Sequence, residues 1–441
     1  MADKNIQDQD SKEYIREKII KPPQSRWKLI KKILSAIFLA VIFGAVSGAV
    51  FAIVSPWIKS VQGEGEDYSV INVTIPRDSV TPPEETNSIE PTEVATTEPS
   101  KCNDEVGSIV ESMLDEKVWS TDSIKQFQRS AYSVYQSAQK SLVSISVITQ
   151  KKDLFDNPIE NSGQAFGLVV ATEPNIIILT KNSMLADATS LIVSIGKADV
   201  GAQIRCVDKV TGIAAIEVDV AAVPSDDLDK ISAAVLGNSY TASLGEPVIL
   251  AGSPLGFTNS MAYGYVSYIN KNVSVPDANY RIIYTDVPSA SDGGGILLNL
   301  EGQIIGWIDD SYKSSSLQGI TAAIGISELK YLIEDMIAGT GTAYLGITGS
   351  DVTKEISGET GKPQGVYVTN RQEDTPSYNA GIQNGDIITQ IGEKEISNMI
   401  DVQNALDEAV AGSITTITVM REGRDGFKEI SFQLNLGDRL K

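Results

Sequence analysis

From Leu142 to Trp307 the chain repeats one unit, a run of five to eight residues rich in Ile, Val, Leu and Ala closed by a turn signal. The runs are Leu142–Thr149, Ala165–Ala171, Ile176–Thr180, Leu191–Ile195, Ile213–Val218, Pro247–Ala251, Arg281–Thr285 and Gln303–Trp307, with turns such as Gly237-Asn238-Ser239 and Asn299-Leu300-Glu301-Gly302 between them. Strands this short and this regularly spaced argue for an all-β barrel or sandwich. A helix is expected near Ser327–Ile337, and Gly339–Gly341 forms a hinge into the last hundred residues.

Charge divides the chain along its length. Residues 1–59 carry 10 Lys/Arg against 5 Asp/Glu, which leaves 36 − 10 = 26 basic and 57 − 5 = 52 acidic residues beyond them. An acidic body of that size repels nucleic acid and anionic lipid, so neither is expected as its partner. Ile33 to Ile58 is free of charge and bounded by Lys31, Lys32 and Lys59. As a helix it would span about 39 Å, more than the ~30 Å of a bilayer's hydrocarbon core. The basic residues lie on its N-terminal side, so residues 1–32 are expected in the cytoplasm and everything after Ile58 outside. A cleaved signal peptide competes with this reading, but the run is longer than a signal peptide's apolar core. Ala40, Gly44, Gly48 and Ala52 form a small-residue face suited to close helix approach, although Gly and Ala are also simply common in membrane helices. Residues 59–104 are rich in Glu, Thr, Ser and Pro without an apolar period, and read as a disordered stalk. Residues 105–127 show helical spacing through Val106, Ile109, Met113, Leu114 and Val118 and are expected to lead into the next domain.

The chain contains no histidine and only two cysteines, Cys102 and Cys206. No metal site is expected from such a set, and no cofactor motif stands out. Both cysteines fall on the extracytoplasmic side, where oxidation is permitted, so a Cys102–Cys206 bridge and two free thiols are both open.

Several stretches together resemble the HtrA (DegP-like) family of trypsin-fold proteases. They are Ile178-Leu179-Thr180-Lys181-Asn182-Ser183, Thr211-Gly212-Ile213-Ala214-Ala215, Leu236-Gly237-Asn238-Ser239, Leu244-Gly245-Glu246-Pro247, Gly252-Ser253-Pro254-Leu255-Gly256, and Thr285-Asp286-Val287 running on to Ser291-Asp292-Gly293-Gly294-Gly295. The resemblance implies a trypsin-like double β-barrel over residues 128–338 and places the family's catalytic His on Ser183, its Asp on Gly212 and its Ser on Gly293. All three are replaced in this chain. A trypsin-type serine is activated by an imidazole that takes its proton, and no imidazole is present. The expectation is therefore a chain without peptidase activity of its own. A Ser183–Lys181 dyad and an Asp292–Asp286 carboxylate pair are weaker readings of the same cleft, and the N–H groups of Gly293–Gly295 are candidates for an oxyanion-hole-like nest.

Residues 342–438 resemble a PDZ domain of the HtrA type. Tyr344-Leu345-Gly346-Ile347 matches the carboxylate-binding loop, and Ala380-Gly381-Ile382-Gln383-Asn384-Gly385-Asp386-Ile387-Ile388 matches the turn and strand that follow the groove. In such a loop the backbone N–H groups are left to hold a C-terminal carboxylate, and the edge strand beyond accepts an added strand from the peptide. The fold expected from the whole is mainly β: a single N-terminal transmembrane helix (33–58), a double β-barrel, then an α+β PDZ domain. The function expected is a membrane-anchored HtrA-like scaffold in the cell envelope that binds exposed C-termini or misfolded segments and, like its relatives, is a homo-trimer. Two alternatives remain: a serine-type endopeptidase of envelope quality control with an unrecognised or trans-supplied catalytic group, and a structural partner, in a hetero-oligomer, of an active paralogue.

Overall fold

The computed structural model describes residues 73–78, 121–152, 158–290, 293–314 and 319–440. The expected membrane span at 33–58 and Cys102 lie outside them; among the described residues no helix is long and apolar enough to cross a membrane.

Two closed barrels of six antiparallel strands form the larger part of the fold. The first joins β1 (Leu142–Lys152), β2 (Pro158–Ala171), β3 (Ile176–Lys181), β4 (Ala188–Ile195), β5 (Ala198–Val207) and β6 (Ile213–Val218), in the order β1-β2-β3-β6-β5-β4. The second joins β7 (Pro247–Ser253), β8 (Ser260–Val275), β9 (Ala278–Thr285), β10 (Gly294–Leu298), β11 (Ile304–Ile308) and β12 (Thr321–Gly325), in the order β10-β11-β12-β9-β8-β7. Closure leaves no open sheet edge, so every strand is paired on both sides. Central strands such as β3, β10, β11 and β12 are buried along nearly their whole length because one face fills a barrel and the other packs against a neighbouring layer. Between the barrels Phe166 packs on Trp307 with ring centroids 5.3 Å apart, inside a core shared by both.

Each of the eight expected strands is present. Four others, β5, β8, β10 and β12, had no comparable signal. β5 is half exposed and β8 alternates polar and apolar residues over a long, partly exposed hairpin, whereas β10 begins with two glycines that read as a loop. Helix α1 (Thr121–Ala138) extends eleven residues beyond the end of the expected helical lead-in, because Ala131 and Tyr135 bury against the barrels. Residues 73–78 correct the reading of a stalk disordered throughout: Val73 and Ile75 pack on the core, Asp78 pairs with Lys330 at 2.7 Å, and Arg77 pairs with Glu334 and stacks on Tyr331. Helix α2 (Lys330–Ala338) closes the double barrel and ends at Gly339, whose φ of 73° gives a left-handed cap.

The last hundred residues form a smaller sheet over a separate core. Strands β13 (Ala343–Tyr344) and β20 (Gly437–Asp438) pair with each other, and β14 (Ile347–Val352), β15 (Gly365–Arg371), β16 (Ile387–Ile391), β18 (Ile414–Gly423) and β19 (Gly426–Asn435) form the main sheet in that order, with β17 (Lys394–Glu395) beside β16. A short helix Lys354–Thr360 and helices α3 (Pro376–Ala380) and α4 (Met399–Asp407) complete it; a capping box between Asn398 and Asp401 starts α4. Strand β14 stands at the edge of this sheet.

Candidate functional site

The pairing of β3 with β6 brings the segment before Ser183 beside Gly212. Lys181 lies opposite Ile213, the Asn182 N–H donates to the Gly212 carbonyl at 2.8 Å, and the Lys181 Nζ reaches the Gly293 carbonyl at 3.0 Å. Ser183 is exposed in the single turn of helix Asn182–Leu185, Gly212 is half-buried and Gly293 is buried. The two residues before Ser183 thus reach Gly212 and Gly293, but at Gly293 the backbone is closed in. A Cβ there would lie 2.7 Å from the Pro254 carbonyl oxygen and 2.8 Å from that of Ala290, so a side chain needs the loop to shift. The first N–H of the expected nest is already used. The Gly293 N–H donates to the Ala290 carbonyl at 2.8 Å, and Gly294 and Gly295 are enrolled in the β10–β7 ladder opposite Ser253 and Gly252. The Lys181 ammonium is turned to the Gly293 carbonyl, and the Asp286 carboxylate accepts from the Tyr265 N–H at 2.7 Å. Ser291 and Asp292 lie outside the described residues.

A second site lies at the start of the smaller sheet. Tyr344, Leu345, Gly346 and Ile347 are all buried, and Gly346 takes a φ of 83°, which turns three successive N–H groups toward one point. A carboxylate occupies that point. Asp277, at the tip of the β8–β9 hairpin, accepts from the Leu345 N–H at 2.7 Å, from the Gly346 N–H at 2.9 Å to both oxygens, and from the Ile347 N–H at 2.9 Å. Its own N–H donates to the Ile347 carbonyl at 2.7 Å. The loop therefore has no vacant N–H groups, contrary to the reading of an open carboxylate site. Burial pushes the Asp277 carboxyl above the ordinary carboxylate range, and the three backbone N–H groups pull the other way. Tyr344 donates to the Gln372 side chain, and burial raises its hydroxyl to about 12. No sequence signal singled out Asp277, because its contacts join positions 68 to 70 residues apart.

Ionisable groups hold the hairpin and the C-terminal strand in place around this nest. Arg439 donates to Asp208 through Nε at 2.5 Å and Nη2 at 2.9 Å, and to the Tyr280 hydroxyl at 2.7 Å. Burial alone would raise the Asp208 carboxyl, but the charge and hydrogen bonds of Arg439, with those of Thr211, hold it below the usual range. Glu328 and Asp407, which line a small cavity with Asp277 and Arg439, are both pushed up to about 7 by burial. On β5, Cys206 is a buried free thiol raised to about 11, again by burial. Among the described residues no group of acidic or cysteine side chains is placed to hold a metal ion.

Residues 165–306 match the trypsin-like peptidase domain family, and residues 343–431 match the PDZ domain family. Among curated proteins the chain is similar to a probable periplasmic serine endoprotease DegP-like of Pseudomonas fluorescens, 28% identical over 273 residues that cover 60% of this chain and 55% of the relative. It is also similar to the serine protease Do-like HtrA of Lactococcus lactis subsp. lactis, 25% identical over 336 residues that cover 67% of this chain and 81% of the relative. The chain spans about half the length of the DegP-like relatives it matches. Among solved structures it shares a fold with the HtrA-type protease AlgW with decapeptide, at a TM-score of 0.51 and 20% identity over 70% of this chain and 98% of that one. These findings correct the expectation of a chain that is not an enzyme: its curated relatives are named serine endoproteases, and the peptidase-domain match runs through positions 183, 212 and 293.

Proposed function

From the premise that the chain is an HtrA-like trypsin-fold protein with a C-terminal PDZ domain, we propose that it works in serine-type endopeptidase quality control of the cell envelope, with its catalytic group supplied from outside the chain. The observation that carries this reading is the joint presence of a peptidase-family double barrel and a sequence without histidine. The family's serine falls on Gly293, which carries no hydroxyl, and the chain has no imidazole, so peptide-bond hydrolysis calls for both nucleophile and base from a second, histidine-bearing subunit. The chain's own contribution is the fold, the cleft and the capture of substrate: Tyr344, Leu345, Gly346 and Ile347 receive the free C-terminus of an exposed or misfolded segment, and the edge of β14 pairs with the residues before it. Residues 33–58 anchor the chain by a single pass, with residues 1–32 in the cytoplasm and the folded domains outside. Assembly as a trimer, or as a mixed oligomer with an active relative, brings the second subunit to the cleft.

The test is hydrolysis of unfolded casein by the purified full chain, by a histidine-containing HtrA-type protease, and by the two mixed. Cleavage is expected from the mixture at a rate above that of the protease alone, and none from this chain alone. Cleavage by the chain alone would place the base within it, and a mixture no faster than the protease would remove the trans-supplied group.

A further inference from the structure

The carboxylate nest of the smaller domain is filled by the chain itself. Residues Val275 and Ala278 pair across a two-residue turn, Pro276-Asp277, at the tip of the β8–β9 hairpin. Pro276 fixes the first turn position and Asp277 takes a φ of 64° at the second, the arrangement of a type II turn, where glycine or asparagine is the usual choice. Asp277 thus holds a backbone conformation that costs an aspartate energy, and its side chain is spent on the three N–H groups of Leu345, Gly346 and Ile347. Its backbone N–H meets the Ile347 carbonyl on the strand just beyond, so one residue makes both a strand-like bond and a carboxylate bond. The C-terminal residue of a bound peptide offers the same two groups, an N–H and a carboxylate, with one methylene fewer between them. Ala278, next on the hairpin, lines the same small cavity as Gln403 and Leu406 of α4, so the hairpin tip lies between that helix and the carboxylate loop. A mere packing contact between domains would call for apolar side chains here, and a buried carboxylate in the nest is costly unless all its acceptors are met.

We propose that Asp277 is a built-in pseudo-ligand: the tip of the β8–β9 hairpin occupies the carboxylate nest and keeps it closed until a free peptide C-terminus displaces it. This rests on the peptide-capture reading above and adds its regulation. The ligand class is a peptide with a free α-carboxylate, competing for the same three N–H groups; an amidated end lacks the carboxylate and does not compete.

The experiment uses the full chain in detergent micelles as wild type, Asp277→Gly and Asp277→Asn. The probes are fluorescein-labelled octapeptide pools ending in Val, Leu, Ile or Phe, one with free carboxylates and one amidated, together with hydrogen exchange of the Leu345–Ile347 amides. Glycine removes the carboxylate and suits the positive φ, whereas asparagine keeps the shape and loses the charge. Asp277→Gly is expected to bind the free-carboxylate pool at least tenfold more tightly than wild type, with Asp277→Asn between them and the amidated pool unchanged. The Leu345–Ile347 amides are expected to exchange at least tenfold faster in Asp277→Gly while the amides of Arg281–Tyr284 stay protected, which shows the hairpin still folded. Measurable binding of the free pool with equal affinity by wild type and Asp277→Gly, or unchanged protection of the three amides, overturns the proposal. Faster exchange without binding of either pool upholds Asp277 as occupant and instead sinks the peptide-capture reading.

Discussion

Replacing Arg439 by methionine tests how far the C-terminal strand depends on one buried ion pair. In the folded chain the side chain of Asp208 is fully buried, and it accepts four hydrogen bonds, two from Arg439 and two from Thr211. Methionine keeps most of the volume and removes the guanidinium, so Asp208 retains only the Thr211 donors and the Tyr280 hydroxyl loses its partner. Breaking a buried pair on one side costs about 3–5 kcal/mol. Because half of the acceptor bonds survive, the lower end, about 3 kcal/mol, is expected. At roughly 2–4 °C per kcal/mol for a domain of this size, thermal unfolding of the full chain followed by near-ultraviolet circular dichroism should shift down by about 6–12 °C. The pH dependence has a definite sign. The Asp208 carboxyl is held low in the fold, so its contribution is complete above the ordinary aspartate pKa of about 3.9 and is lost as pH falls through the folded value. The deficit of Arg439→Met should therefore be full at pH 7 and shrink below about pH 4, and the double change Asp208→Leu with Arg439→Met should recover most of it. A shift under 2 °C at pH 7, or a deficit that is the same at pH 7 and pH 3.5, would refute the reasoning.

Gly346→Val should abolish binding of free-carboxylate peptides, including in an Asp277→Gly background, because a Cβ at Gly346 would lie 2.5 Å from the Thr375 side chain on a backbone at φ 83°; fluorescence anisotropy of the double variant reads the loss, and retained binding would dissociate the nest from peptide capture. Glu328→Gln should flatten the fall in thermal midpoint between pH 5 and pH 8: with its carboxyl raised to about 7, the folded chain holds a proton that the unfolded chain releases near pH 4.3, so this group's contribution declines as pH rises to 7 and is level above it, by at most about 3 kcal/mol. An unaltered pH profile in the variant would show that Glu328 is ionised in the fold.

What the sequence by itself determined was whatever depends on local pattern. Short apolar runs such as Ile176–Thr180 and Ile213–Val218 announce buried strands because side-chain period and β-branching are local properties, and the order of motifs around Thr180, Gly212 and Gly252 placed them on a double barrel. The absence of histidine is likewise complete in the sequence and bounds the chemistry that the chain performs alone. Tertiary structure decided what depends on contacts between distant segments. The polar, half-exposed β5 and the glycine start of β10 became strands because barrel closure satisfies their backbone, which no local propensity records. Residues 73–78, a short proline-bearing piece inside a Glu/Thr/Ser/Pro-rich stretch, found apolar contacts and ion pairs on α2 some 250 residues away. The carboxylate loop was legible as Tyr344-Leu345-Gly346-Ile347, but its occupant was not. Only the folded hairpin carries Asp277 to three N–H groups that replace the hydrogen bonds its carboxylate gives up on leaving water.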